Sequence, residues 1–182
     1  MLLSDVDIKD ALAVGKIKIT PEVREPDIRP TGIRVHMAET VAYPEVNGLV
    51  VELSDLDNSR YRQVKLGPEG FILRRGQFVL ASTVERISTT PDIIAQLDGR
   101  STLARLGIMI HCGSMVIDNI HEELRAITLE MTNLGPYDVR LRARDSIGMV
   151  FFSHLRNAIS QSASEQYRGQ IHVTPPSLLK AS

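Results

Sequence analysis

Apolar and polar residues alternate with a period of two in several short runs of the chain, as a strand with one buried face requires. The clearest run is RAITLEMTN (125–133), where Ile127, Leu129 and Met131 alternate with Thr128, Glu130 and Thr132. Other apolar runs are NGLVVELS (47–54), GFILRRGQFVLAS (70–82), LGIMIHCG (106–113), YDVRLRA (137–143) and SIGMVFFSH (146–154), separated by turn residues. Modest strands at this spacing predict a mainly β protein, a barrel or a sandwich.

Three segments read as helices. In MLLSDVDIKDALAVG, Ser4 can cap, Asp7 follows three residues later as the acid of a capping box, and Gly15 can close the helix. Ile8 and Leu12 share its apolar face. In STTPDIIAQL (88–97), Thr90 can cap with Pro91 in the first helical position and Asp92 beside the positive end of the dipole. In GRSTLARLG (99–107), Ser101 can cap and Gly107 can end the turn. Between the first helix and the strands, Pro21, Pro26 and Pro30 exclude helix and favour an extended path. The chain suits one domain over 1–182, with a polar tail from about residue 156 that is mobile unless something holds it.

Composition narrows the partners. Lys plus Arg number 21 against 22 for Asp plus Glu, so there is no diffuse positive field for a nucleic-acid polymer or an anionic membrane. Any anion must be held by a local cluster. The single cysteine, Cys112, excludes an intramolecular disulfide framework and a multi-cysteine zinc site, and suits a reducing compartment. No signal-peptide pattern and no membrane-length apolar run is present, so a cytoplasmic protein is expected.

Three places could carry chemistry. A helix N-terminus offers unpaired N–H groups and partial positive charge to phosphate oxygens. Arg100 precedes the expected helix at Ser101, Thr102 adds a second hydroxyl, and Arg105, four residues after Ser101, shares its face. An ordinary cap with a surface arginine would also account for this spacing. Glu130 lies on the polar face of its strand, which is either solvated or the wall of a cleft where the carboxylate could transfer protons. Asp118, in MVIDNI, is either a strand-ending turn residue or a ligand group. His111 and Cys112 read as packing residues, and His121, His154 and His172 as surface or interface groups.

The ordered series LSDVDIKDAL, FVLASTVERI, LDGRSTLARLGIMIH, VID, AITLEMTN and YRGQ resembles the dCTP deaminase branch of the dUTPase-like superfamily, over nearly the whole chain. The resemblance implies a distorted β-barrel or β-clip with a few short helices, assembled as a homotrimer with active sites between subunits. It implies a dCTP- or dUTP-type nucleotide as ligand, with Mg2+ entering alongside the triphosphate. Glu130 then matches the catalytic glutamate, and Ser101 and Arg105 match the pair that positions water and glutamate. Arg100 and Thr102 fall where phosphates are met, with Leu103 and Ala104 in the same cradle. Asp118 matches the acid near the deoxyribose 3′-hydroxyl, Thr128 and Leu129 supply strand backbone beside the base, and Gln170 matches the tail glutamine that closes over the nucleotide. Zinc deaminases need H-x-E followed by P-C-x-x-C; His121 to Glu123 fits the first half, and one cysteine cannot make the second. A zinc-free deamination of dCTP to dUTP and ammonia is the leading expectation.

The chain departs from the family pattern at three places. The run NIHEELRAITL (119–129) is longer than usual and lacks the Pro-Gly-aromatic-x-Gly that shapes the turn covering the base. Gln166 stands where a phosphate-binding lysine is usual. In RPTGIRVHM, Arg34 and His36 take the places of a usual Asp and Arg, a pair read as structural. Two alternatives stay open: a dUTP diphosphatase or bifunctional deaminase-diphosphatase, which Met115 in place of a small residue argues against, and a catalytically weak nucleotide-binding regulator.

Overall fold

The structure, a computed structural model, describes residues 1–45, 50–52, 56, 61–118, 120–121, 123–161 and 170–176. In chain order its elements are α1 (Asp5–Ala13), β1 (Ile17–Thr20), a 3₁₀ turn (Glu25–Asp27), β2 (Ile28–Arg29), β3 (Gly32–His36), β4 (Thr40–Pro44), β5 (Tyr61–Lys65), β6 (Phe71–Leu73) and β7 (Phe78–Thr89). There follow β8 (Ile93–Gly99), α2 (Ser101–Arg105), β9 (Ile108–Met109), β10 (Val116–Ile117), β11 (Arg125–Asn133), β12 (Val139–Leu141) and β13 (Ser146–His154).

The expected mainly β fold is present as a distorted arrangement of separate sheets that do not close into a true barrel. One sheet runs β5-β4-β7-β11-β9, with β1 also paired to β7. A second runs β10-β8-β13-β3-β2, and β12 pairs with β6 in a small third. The apolar faces of the two large sheets supply one core. Val79, Ala81, Leu129 and Met131 come from the first, and Ile33, Val35, Ala95, Val150 and Phe152 from the second. Phe152 is fully buried, worth about 1.5–3 kcal/mol for its side chain alone.

Strict alternation located its strands to the residue. β11 and β13 occupy 125–133 and 146–154 as the pattern predicts, with Ile127, Leu129 and Met131 buried and Thr128, Glu130 and Thr132 half-buried. The capping box at α1 also forms: Ser4 N–H donates to Asp7 Oδ2 at 2.9 Å and Asp7 N–H to Ser4 Oγ at 3.3 Å.

The helix expected over 88–97 is instead a turn followed by β8. Thr90 and Asp92 do use their capping chemistry, Thr90 Oγ1 donating to Asp92 Oδ1 at 2.6 Å and Ile93 N–H donating to Thr90 O at 3.0 Å. Those bonds close a turn only. From Ile93 onward Ile93, Ala95 and Leu97 are buried, a period of two that β13 completes by pairing along the strand. Tertiary pairing overrides the cap signal.

Other expectations shift in extent. The run 70–82 is broken by a turn at Arg75–Gly76 into β6 and β7, and β7 continues to Thr89. The run 106–113 forms only β9, and 137–143 only β12. Val50, Val51 and Glu52 of NGLVVELS are not in a strand, and the rest of that run lies outside the described residues. The proline-rich stretch does contain one 3₁₀ turn, with Pro26 in its first positions, where a missing N–H costs nothing.

Candidate active site

β11 carries the site because its two faces do different work. Its apolar face enters the core, and its polar face borders a cleft of about 360 Å³. Asp118, Thr128, Glu130 and Gln170 supply polar groups to this cleft, and Tyr61, Phe78, Leu80, Ile117 and Ile120 supply apolar ones. Polar groups interspersed with hydrocarbon suit a planar, polar-edged ligand. Among the sequence candidates, then, Asp118, Thr128, Glu130 and Gln170 come together. Leu129 is fully buried, so it can offer the cleft only its main chain.

Glu130 is fixed by its neighbour segment. After α2 the chain runs antiparallel to β11, Ile108 facing Asn133 and Met109 facing Thr132, and Glu130 N–H donates to Ile110 O at 2.9 Å. The chain then bends at Cys112 and Gly113, which frees two N–H groups from any ladder. Both donate to Glu130 Oε2, each at 3.0 Å. Oε1 accepts no hydrogen bond among the described residues. One oxygen is thus anchored while the other is left to work, the arrangement a proton carrier needs. Gly113 sits close enough that an added Cβ would lie 3.4 Å from Oε2.

Residues 112 and 113 were missed as site residues in sequence because they act through main-chain N–H groups, which leave no side-chain signature. Cys112 is exposed rather than packed; its thiol donates to Glu130 O at 3.3 Å. Partial loss of solvent around the sulfur of this exposed residue, and then the Glu130 charge, push the thiol's pKa up and favour its neutral form.

The tail is held where it is described. Ala126 N–H donates to Gln170 O at 3.1 Å, and Gln170 Nε2 donates to Thr128 Oγ1. Val173 is buried against Ala42 and Leu80, beside Tyr61 and Phe78, while Thr174 and Pro176 reach the cleft wall. The tail, expected from about residue 156 to be mobile unless something holds it, has such holds over 170–176: a polar anchor at Gln170 and an apolar plug at Val173. Gln166 lies outside the described residues.

The helix expected at the GRSTLARLG motif is present as α2, with a difference at its start. Arg100 is the N-cap residue, without a side-chain capping bond, and Ser101 is the first helical residue. Its exit is rigid. Gly107, at φ +82°, and Gly135 lie back to back, so a Cβ on Gly135 would fall 1.8 Å from Leu106 O. Leu134 N–H donates to Gly107 O at 2.8 Å, and the buried Asn133 amide spans Leu73 O and Tyr137 O. This locks α2 to the end of β11.

Even so, none of residues 100–105 lines the cleft. Ser101, Thr102, Ala104 and Arg105 are exposed, and the three polar side chains among them make no hydrogen bond with the described residues. Arg100 donates to Ser146 O at 2.9 Å. Leu103 is turned into the core, so it could meet a ligand only through its backbone.

Three of the histidines have a polar side chain beside one ring nitrogen, and His121 Nε2 is buried without a hydrogen bond among the described residues. His111 stands 3.5 Å from Asp98, His121 Nδ1 is 3.0 Å from Thr89 Oγ1, and His154 is 3.8 Å from Asp92. Of the pair Arg34 and His36, His36 is held in the structure. His36 N–H donates to Glu85 Oε2 at 2.8 Å and its Nδ1 lies 2.7 Å from Oε1, with Asp27 at 3.7 Å from Nε2. No group of three or more His, Cys, Asp or Glu side chains is placed to hold a metal ion among the described residues. No helix among them is long and apolar enough to cross a membrane.

Comparison with known proteins identifies the family. The family described as dCTP deaminase-like matches residues 2–155. A dCTP deaminase of Halorubrum lacusprofundi is 33% identical over 162 residues, 86% of this chain and 79% of that protein. A "dCTP deaminase, dUMP-forming" of Streptomyces griseus is 33% identical over 182 residues, 93% of this chain and 91% of that protein. Among solved structures, the 2′-deoxycytidine 5′-triphosphate deaminase of Agrobacterium tumefaciens aligns with a TM-score of 0.65 at 16% identity, covering 83% of this chain and 47% of that one, a likeness of fold. With the family matched over most of its length and a third of its residues shared with such relatives, the chain belongs to the dCTP deaminase-like family.

Proposed function

We propose that the protein is a hydrolytic dCTP deaminase that takes its substrate as the magnesium complex and uses no zinc. The observation that carries this reading is the Glu130 carboxylate, which lines a cleft of nucleoside size and is anchored through Oε2 by the Cys112 and Gly113 N–H groups, with Oε1 unpaired among the described residues. Glu130 takes one proton from water as the water oxygen bonds to C4 of cytosine and passes it to the ring nitrogen N3. It then carries the remaining proton of the new C4 hydroxyl to the amine, the C4–N4 bond breaks as the C4 carbonyl forms, and ammonia leaves, so that dCTP and water give dUTP and ammonia. The polar edge formed by Thr128 and the Gln170 amide faces the base, and Asp118 faces the sugar.

The exposed face of α2 completes the site from a second copy. Ser101, Thr102 and Arg105 present hydroxyls and a guanidinium that make no hydrogen bond with the described residues, at a helix N-terminus, which is a set suited to phosphate. A homotrimer with sites between subunits, working in the cytoplasm, follows from this reading. A single cysteine supports the zinc-free chemistry, since zinc deaminases bind their metal through a cysteine pair.

A second reading, a bifunctional enzyme that continues to dUMP, is favoured by the dUMP-forming name of the Streptomyces griseus relative. Ser114 lines the cleft and Met115 does not, so the bulk of Met115 does not narrow this cleft. Incubation with dCTP, dUTP, dCMP and CTP plus magnesium, with products resolved by chromatography, separates the readings. Release of dUTP and ammonia from dCTP is expected, with CTP much poorer; dUMP from dCTP would favour the bifunctional enzyme, and nucleotide binding without turnover would overturn both.

A further inference from the structure

We infer that Thr83 is a positioning residue for the nucleotide, although its side chain does not line the cleft. The inference rests on the reading of the cleft as a dCTP site. Where β7 pairs with β11, Arg125 faces Ile87 and Ala126 faces Arg86, and then Thr128 faces Ser82. Between those pairs the single residue Ile127 stands opposite three: Thr83, Val84 and Glu85. This bulge carries the β7 main chain away from the Ile127 amide, which is buried and cannot turn to water.

Thr83 fills the gap. Its Oγ1 accepts from Ile127 N–H at 3.0 Å and donates to Glu85 O at 2.7 Å, with the residue 2% exposed. One hydroxyl thereby satisfies a donor and an acceptor that the bulge would orphan. The bulge is braced from behind as well, because the Glu85 carboxylate accepts from His36 N–H at 2.8 Å and lies 2.7 Å from His36 Nδ1. Thr83 is thus fixed on one side and fixes Ile127 on the other.

What it fixes is the floor of the site. Ala126, Ile127 and Thr128 all line the cleft, and the tail grips this same segment through Ala126 N–H and Thr128 Oγ1. Without the hydroxyl, the buried Ile127 amide loses its acceptor and the Glu85 carbonyl loses this donor, and the segment must move to recover them. Glu130 is held by a separate clamp at Cys112 and Gly113. Loss of Thr83 Oγ1 therefore shifts the surface that receives base and tail while leaving the proton carrier in place.

The test is a split between KM and kcat. Thr83→Val keeps the shape and removes the hydroxyl; its KM for dCTP is expected to rise about tenfold with kcat within about threefold of wild type. Thr83→Ser should restore KM. Ile8→Ala, a core truncation in α1, serves as the destabilised control and should lose thermal stability without changing KM. Should Thr83→Val not fold, Thr83→Ala, which leaves room for water, carries the test with a rise of about threefold expected. Wild-type KM in the folded hydroxyl-free variant, or an equal KM rise in Ile8→Ala, overturns the inference. If wild type itself neither binds nor converts dCTP, the reading of the cleft fails first, a result distinguishable from failure at Thr83 alone.

Discussion

The cleft beside β11 and the helix α2 differ in how far one chain completes them. In the cleft, Glu130 is clamped by two main-chain N–H groups, Thr128 takes the Gln170 amide, and Val173 plugs the apolar end. On α2, Ser101, Thr102 and Arg105 are exposed and make no side-chain hydrogen bond with the described residues. Yet both regions belong to one rigid piece, since β9 pairs with β11 and Gly107 packs on Gly135. On the proposed reading the cleft does the chemistry and the helix meets the phosphates of a nucleotide bound by a neighbouring copy.

Substitutions can break that division of labour, beginning with the largest effect. Glu130→Gln keeps the shape of the cleft and removes its base. It should fold and bind dCTP yet lose turnover by a factor on the order of 10² or more, as removal of a positioned general base does. Ammonia release at near-normal rate in this variant would move the chemistry out of the cleft.

The arginines of α2 come next. Arg105→Ala should raise KM and lower kcat together, each by about tenfold, because a charge-assisted hydrogen bond to phosphate is worth about 1.5–3 kcal/mol. Arg100→Ala should act mainly on KM, and should also lower the melting temperature slightly, since that side chain already donates to Ser146 O. Steady-state kinetics with dCTP check both. Small and equal effects would make α2 a solvated helix start and nothing more.

The smallest effect concerns Cys112. Its contribution to the Glu130 clamp is its N–H, so Cys112→Ala should leave kcat within about twofold of wild type, while Cys112→Pro, which has no N–H, should lower it clearly. A strong loss in Cys112→Ala would mean that the thiol itself takes part.

Much of the site was legible because it depends on side chains in regular elements. Period-two alternation put Glu130 and Thr128 on the polar face of β11, and the structure opens that face to the cleft. The capping box at Ser4 and Asp7 was readable because it is closed by residues three apart. Long-range and main-chain effects were not. Thr90, Pro91 and Asp92 carry a valid helix-start pattern, but pairing with β13 makes the next seven residues a strand. The Cys112 and Gly113 clamp depends on a bend whose N–H groups any residue but proline could supply. The docking of 170–176 depends on Val173 finding Ala42 and Leu80 more than ninety positions away in sequence.

The central claim is that the helix of one copy completes the cleft of another, and subunit mixing tests it most directly. Glu130→Gln carries an intact helix and a dead cleft, and Arg105→Ala carries the reverse. Mixed in equal amounts through unfolding and refolding, the two weak variants should regain activity to about a quarter of wild type, because each shared site draws its two parts independently. Activity no higher than the average of the two variants alone, in a mixture shown to have exchanged subunits, would contradict the shared site.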